Sequence, residues 1–220
     1  MTDPIILHGA ACHAAPFWPG GRMLTLPGHS DVPRTTPTVA AYADYIAPQL
    51  PNRPALIGHS LGGMVALTLA ARLGRALRVL VLVDVPLRLP VPALHSTGAA
   101  MTPIFSRMPR LIAALISRRT TNRAARPAIH ASIAGMSQGG LEDAMRAATG
   151  FNGWPLLDRI LCPVLAIWGR SSLLTNAKQA AAIDALPTGR SITYQGGHLI
   201  QFDHPDRFHQ DVTTYLEAHP

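Results

Sequence analysis

The chain has 220 residues, 48% of them hydrophobic and 14% charged, with 2 cysteines. That length supports one well-buried core; no apolar run nears the length of a bilayer span, and the two cysteines, Cys12 and Cys162, form neither a disulfide framework nor a metal spacing. The net charge of +7 comes almost wholly from arginine, Lys178 being the only lysine. Arginines gather at Arg107, Arg110, Arg118, Arg119, Arg123 and Arg126, but without interleaved aromatics or a nucleic-acid motif they read as solvated charge, with no nucleic-acid partner.

Apolar runs and breakers lay out the elements in chain order. Residues 4–8 predict a strand, 22–26 a second, and 38–50 a helix behind Pro37 with Thr38 as its cap. Residues 54–59 predict a third strand and 61–74 a helix that is apolar on several faces, as a helix buried beside a sheet must be. The continuous β-branched run in 78–84 reads as a parallel strand buried on both faces. Pro86, Pro90, Pro92 and Pro103 then interrupt regular structure and lead into helical stretches at about 104–118 and 127–147. Strand 163–169, helix 176–186, strand 190–195 and helix 204–217 complete the order. This alternation predicts an α/β fold with a reduced, mostly parallel sheet of about six strands flanked by helices. Residues 1–86 and 154–220 form its core, and 87–153 a helical cap insertion.

The chemistry concentrates at Gly58-His59-Ser60-Leu61-Gly62, a G-x-S-x-G between a strand and a helix. A chain that turns from strand to helix this sharply strains the Ser60 backbone, and side chains at Gly58 and Gly62 would collide with neighbouring backbone. The turn presents the Ser60 hydroxyl above the sheet at a helix N-terminus, where the Leu61 N–H is free to meet a developing negative charge. A serine needs a base, and His198 on a Gly-Gly-His loop after the last strand is the candidate. No H-x-x-x-H or H-E-x-x-H helix pattern appears among the 10 histidines, so no metal and no cofactor are expected.

These segments together resemble the α/β-hydrolase superfamily, in its compact esterase and hydroxynitrile-lyase-like branch. His8-Gly9-Ala10 after the first strand is similar to the family's oxyanion loop, with Trp18 as the aromatic that follows. Leu26-Pro27-Gly28-His29-Ser30 resembles its D-x-P-G-x-G loop, with Thr25 and Ser30 as departures. Residues 162–169 look like its penultimate core strand, and Gly196-Gly197-His198 with Pro205 and Phe208 like its histidine loop and last helix. The resemblance implies Ser60 as nucleophile, His198 as base, and the N–H groups of Ala10 and Leu61 as oxyanion donors, with Ala11 an alternative to Ala10. His59 is implied to pack beneath the turn.

The resemblance also implies a carboxylate three residues after Gly169, where this chain has Ser172; no carboxylate stands between Asp158 and Asp184. Asp84, at the carboxyl end of strand 78–84, is the first choice for the acid, since sites gather at those ends. Asp203 is a second candidate, although it suits a cap of the last helix better; a Ser-His dyad supported by Ser172 or water is the third. The expected function is hydrolysis of a carboxylic ester, thioester or lactone through an acyl-enzyme on Ser60. Lyase, cyclase or acyltransferase chemistry on the same fold, and a ligand-binding protein with a decayed site, are the alternatives. The expected partner is a small acyl substrate, which the basic insertion would attract if anionic, in a pocket built from Leu87, Leu89, Ile104, Phe105, Met108, Leu111, Ile112 and Leu115. A cytoplasmic setting with no membrane partner is expected; the sequence does not give an oligomeric state.

Overall fold

The computed structural model describes residues 3–13, 17–18, 20–89 and 120–220. Six strands form one sheet: β1 Ile5–Leu7, β2 Arg22–Leu24, β3 Ala55–His59, β4 Val79–Val83, β5 Val164–Gly169 and β6 Gly189–Tyr194, in the order β2-β1-β3-β4-β5-β6. Every neighbouring pair is parallel. The central strands are apolar without interruption because both faces are covered, and alternate residues serve opposite layers.

Leu56, Leu80, Leu82, Val164 and Ala166 face one layer with Tyr42 and Ile46 of α1 (Val39–Ile46), α2 (Leu61–Leu73) and Ile183 of α5 (Ala177–Asp184). Ile6, Ile57, Val81, Leu165 and Ile167 face the other, packed by Phe17, Trp18 and Phe208, Val212 and Leu216 of the last helix, α7 (Pro205–Glu217). Thr38 does cap α1, its hydroxyl accepting from the Ala41 N–H at 3.1 Å, and Ala47–Gln49 tighten into a 3-10 turn around Pro48 where the expected helix ran on to 50. A one-turn helix, α6 (Ile200–Asp203), precedes α7.

The expected helix 127–147 is two, α3 (Arg126–Ala134) and α4 (Gly140–Thr149), parted at Gly135 to Gly139. The break frees backbone that a continuous helix would have consumed. Ser30 N–H donates to Gly135 O at 2.8 Å, Ser137 N–H to Gly28 O at 3.1 Å, and His29 pairs with Met136 in an antiparallel bridge. Arg34 adds an ion pair to Asp143 at 2.5 Å, so residues 135–143 are tied to the loop after β2. The expected helix 104–118, the arginines at 107, 110, 118 and 119, and the pocket residues at 104, 105, 108, 111, 112 and 115 lie outside the described residues. Among the described residues no helix is long and apolar enough to cross a membrane.

The sheet meets α2 through glycine. A Cβ on Gly58 would stand 2.5 Å from the Gly63 Cα, and one on Gly62 would run into the carbonyl oxygens of Leu7 and His8 at the end of β1. These are backbone atoms and cannot step aside. Gly62→Ala should therefore lower stability by about 3 kcal/mol, the upper end for an overpacked core, read as a fall in the urea midpoint at unchanged slope; an unchanged midpoint would show that the β1 end and α2 are not in register as described.

Candidate active site

Ser60 follows β3 with φ 50° and ψ −119°, a backbone that a side chain rarely adopts, and its hydroxyl makes no capping bond to α2. The sheet holds it there, since Ser60 N–H donates to Val83 O at 3.1 Å. One strand over, Asp84 follows β4, also with positive φ, 45°, and its N–H donates to Ile167 O at 2.8 Å. His59 pairs with Val83 in register, which sets Ser60 and Asp84 next to each other along the sheet.

The Asp84 side chain has no exposure to solvent. Its carboxylate accepts from His198 Nδ1–H at 2.7 Å, from the Ser172 hydroxyl at 2.6 Å, from the Gly169 N–H at 3.0 Å and from the Thr175 hydroxyl at 2.9 Å. Burial by itself would push this carboxyl up; the hydrogen bond and charge of His198, with the bonds from Ser172 and Gly169, outweigh it and hold the group below the ordinary carboxylate value. Ser172, where a carboxylate was sought, thus turns out to be a donor to one. Thr175 and the Gly169 N–H escaped the sequence reading; a hydroxyl cluster just after β5 was their one signal.

With Nδ1 donating to Asp84, the Nε2 of His198 is left facing away from the carboxylate, and the side chain is 27% exposed. His59 braces its loop: the buried Nε2–H of His59 donates to His198 O at 3.0 Å, and the two rings lie 4.7 Å apart. His59 is thus buried against the His198 loop. Asp203 has other work, for its Oδ1 accepts from the Thr120 hydroxyl at 2.6 Å and the Thr121 N–H at 2.8 Å. It anchors the chain entering α3, and the cap position of α7 belongs to His204.

The loop after β1 is drawn onto the Ser60 turn by Gly9, where a Cβ would stand 2.5 Å from His59 Nδ1 and 3.3 Å from the Ser60 Cβ. Two histidines then lace this loop to the next. His8 Nε2 accepts from Leu26 N–H at 3.0 Å while its Nδ1–H donates to Gly9 O; His29 Nε2 accepts from Ala11 N–H at 3.3 Å while its Nδ1–H donates to Pro27 O. The Ala11 N–H is therefore spent. Ala10 remains the loop's candidate donor beside Leu61, the first residue of α2, whose N–H has no partner within the helix. Among the described residues no group of three His, Cys, Asp or Glu is placed to hold a metal ion.

A model of the alpha/beta hydrolase family matches residues 5–211. A pimeloyl-[acyl-carrier protein] methyl ester esterase of Neisseria meningitidis serogroup B is 32% identical over 173 residues, 72% of this chain and 66% of that protein. One of Aromatoleum aromaticum is 39% identical over 79 residues, 32% of each. The matches span less than two thirds of the length of these curated relatives. Among solved structures, the enol-lactonase of Burkholderia xenovorans superposes with a TM-score of 0.84 at 17% identity, covering 99% of this chain and 92% of that one. A thermophilic esterase of Thermogutta terrifontis gives 0.84 at 21%, covering 100% and 91%. At these identities the likeness is one of fold.

Burial pushes the imidazoles of His8, His29 and His59 down from their ordinary 6.5, His29 to about 4 and His59 to about 3. Folded values below the unfolded one mean that the unfolded chain takes up protons first as acid is added, so the stability present above about pH 6.5 is lost as pH falls toward the folded values. His29 and His59 should each cost about 2 kcal/mol between about pH 7 and pH 5, and His8 shifts stability in the same direction. Asp84, whose folded value is also depressed, keeps its contribution through that window and loses it only at lower pH. The urea midpoint should therefore drop steadily over this range; a flat profile down to pH 5 would contradict three neutral buried imidazoles.

Proposed function

The chain belongs to the alpha/beta hydrolase family, and from that membership and the arrangement around Ser60 we propose that it hydrolyses carboxylic esters through an acyl-enzyme. The observation that carries this reading is the fully buried Asp84 carboxylate 2.7 Å from His198 Nδ1, which fixes the imidazole with its Nε2 available as base.

In this reading Ser60 Oγ attacks the ester carbonyl and gives its proton to His198 Nε2. Asp84 stays ionised, holds the ring in that tautomer and stabilises the imidazolium. The carbonyl oxygen, now negative, is met by the N–H groups of Ala10 and Leu61, each worth about 3 kcal/mol of transition-state stabilisation. His198 returns the proton to the departing alkoxide. A water then takes the alcohol's place, His198 deprotonates it, and the acid product leaves with Ser60 restored.

Thioesters and lactones fit the same chemistry, because the leaving thiolate or tethered alkoxide accepts the same proton. A methyl ester of an acyl chain is the substrate class that the names of the curated relatives favour. The arginine excess favours approach by an anionic substrate.

A fluorophosphonate should add to wild-type protein and not to Ser60→Ala, which should also lose turnover of short p-nitrophenyl and methyl esters. No labelling and no turnover in the wild type would instead support a binding protein.

Asp84→Asn should lower kcat on the order of 10^3 to 10^4-fold, as for other triads stripped of their acid, whereas Asp203→Asn should change stability and leave kcat within a few fold. Because Ser172 Oγ already touches the same Asp84 oxygen that holds His198, adding Ser172→Asp to Asp84→Asn should recover about tenfold or more of the lost rate. Equal rates for Asp84→Asn and wild type would return the site to a dyad.

A further inference from the structure

The turn after β5 is bound both to the histidine loop and to the carboxylate that His198 meets. Arg170 N–H donates to Tyr194 O at 2.9 Å and Ser171 N–H to Gly196 O at 2.8 Å, which staples the turn to the end of β6 and to the glycines ahead of His198. A Cβ on Gly169 would run into the Gly197 carbonyl oxygen, so turn and loop lie backbone against backbone. Ser172 is held within this turn by its N–H, which donates to Gly169 O at 3.0 Å. Its Oγ accepts from the Leu174 N–H at 3.2 Å, and its single hydroxyl proton goes to Asp84 Oδ2 at 2.6 Å.

The two oxygens of Asp84 therefore have different surroundings. Oδ1 accepts from the Gly169 N–H and the Thr175 hydroxyl, and neither of these touches the imidazole. Oδ2 is shared between His198 Nδ1–H and the Ser172 hydroxyl. Two donors on one oxygen compete, because charge stabilised by the hydroxyl is less available to the ring. The Ser172 bond is also one of the causes that keep the Asp84 carboxyl below its ordinary value. The other ring packed against His198 is that of His59 from β3, which burial pushes down to about 3 and which stays neutral above pH 5.

We propose that Ser172 is a positioning residue for the base: by sharing Asp84 Oδ2 with His198, its hydroxyl limits how tightly the carboxylate holds the imidazolium. His198 is thereby free to accept a proton at lower pH than beside an unshared carboxylate, and its imidazolium gives the proton up more readily. This rests on the esterase reading only in taking Ser60 as the source of that proton.

The acid limb of the kcat/KM profile on p-nitrophenyl acetate should move to higher pH by about half a unit or more in Ser172→Ala and in Ser172→Gly, with KM within about twofold of wild type. Ser172→Thr, which keeps a hydroxyl on the same carbon, should bring the limb back. Thr175→Val takes a donor from Oδ1 instead and should move the limb less than about half as far as Ser172→Ala. The same order should appear in an NMR titration of the His198 ring proton, assigned as the resonance that His198→Gln removes, with each variant placed in Ser60→Ala. That titration needs no turnover, so a wild type inactive on esters would sink the esterase reading and leave the titration to decide this one. A titration that Ser172→Ala leaves unmoved or carries to lower pH would overturn the proposal. So would an equal movement in Thr175→Val, which would assign the effect to any lost donor rather than to the shared oxygen.

Discussion

A carboxylate wholly withdrawn from water is the constraint around which this molecule is arranged. A lone buried charge would be far too costly to keep, so Asp84 requires partners, and the four it has come from separate parts of the chain: the end of β5, the turn after it, and the loop after β6. Each donor is as dependent on Asp84 as Asp84 is on it, because removing the carboxylate would leave the Gly169 N–H and two hydroxyls without their acceptor. The bond to His198 is thus one member of a network that also fixes where β5 ends and how its following turn folds.

The sheet was legible because its physics is local. Runs such as Val79–Val83 declare burial on both faces, and Gly58 and Gly62 declare a turn too tight for side chains. The bonds that gather around Asp84 were not legible in that way, since its partners lie 85 to 114 residues away, and the Gly-Gly-His loop and the hydroxyls just after β5 mark the residues without marking what they meet. Ser172 shows the limit most clearly. The resemblance implied a carboxylate there; only the fold reveals that the serine donates to a carboxylate at the end of another strand. The parting of α3 from α4 had a visible signal in Gly135, Gly139 and Gly140, but helical periodicity on both sides masked it, and its reason lies in the loop after β2.

The histidines make the same point about chemistry. Ten in a chain of this size invite thoughts of metal, yet His8 and His29 each spend both ring nitrogens on backbone, one accepting and one donating. They work as neutral connectors that let two loops without regular structure satisfy their buried amides. By accepting from the Ala11 N–H, His29 also ties the loop after β1 to the loop after β2. His59 does similar work on the other side, where it holds the carbonyl of His198 itself.

Strain and rigidity meet at the strand ends. Ser60 and Asp84 both carry positive φ, a conformation that tends to relax unless something holds it. What holds each is the sheet's own hydrogen-bond ladder continued one residue past the strand: Ser60 N–H reaches Val83 O, and Asp84 N–H reaches Ile167 O. The ladder thereby ties β3 to β4 and β4 to β5 at the level where the side chains turn upward. Asp84 follows the strand next to the one that Ser60 follows, and a single ladder step fixes the spacing of the two backbones. A carboxylate after β5 would stand one strand further away. In this chain that position carries Ser172, whose hydroxyl donates to Asp84 at 2.6 Å and so joins the turn after β5 to the end of β4.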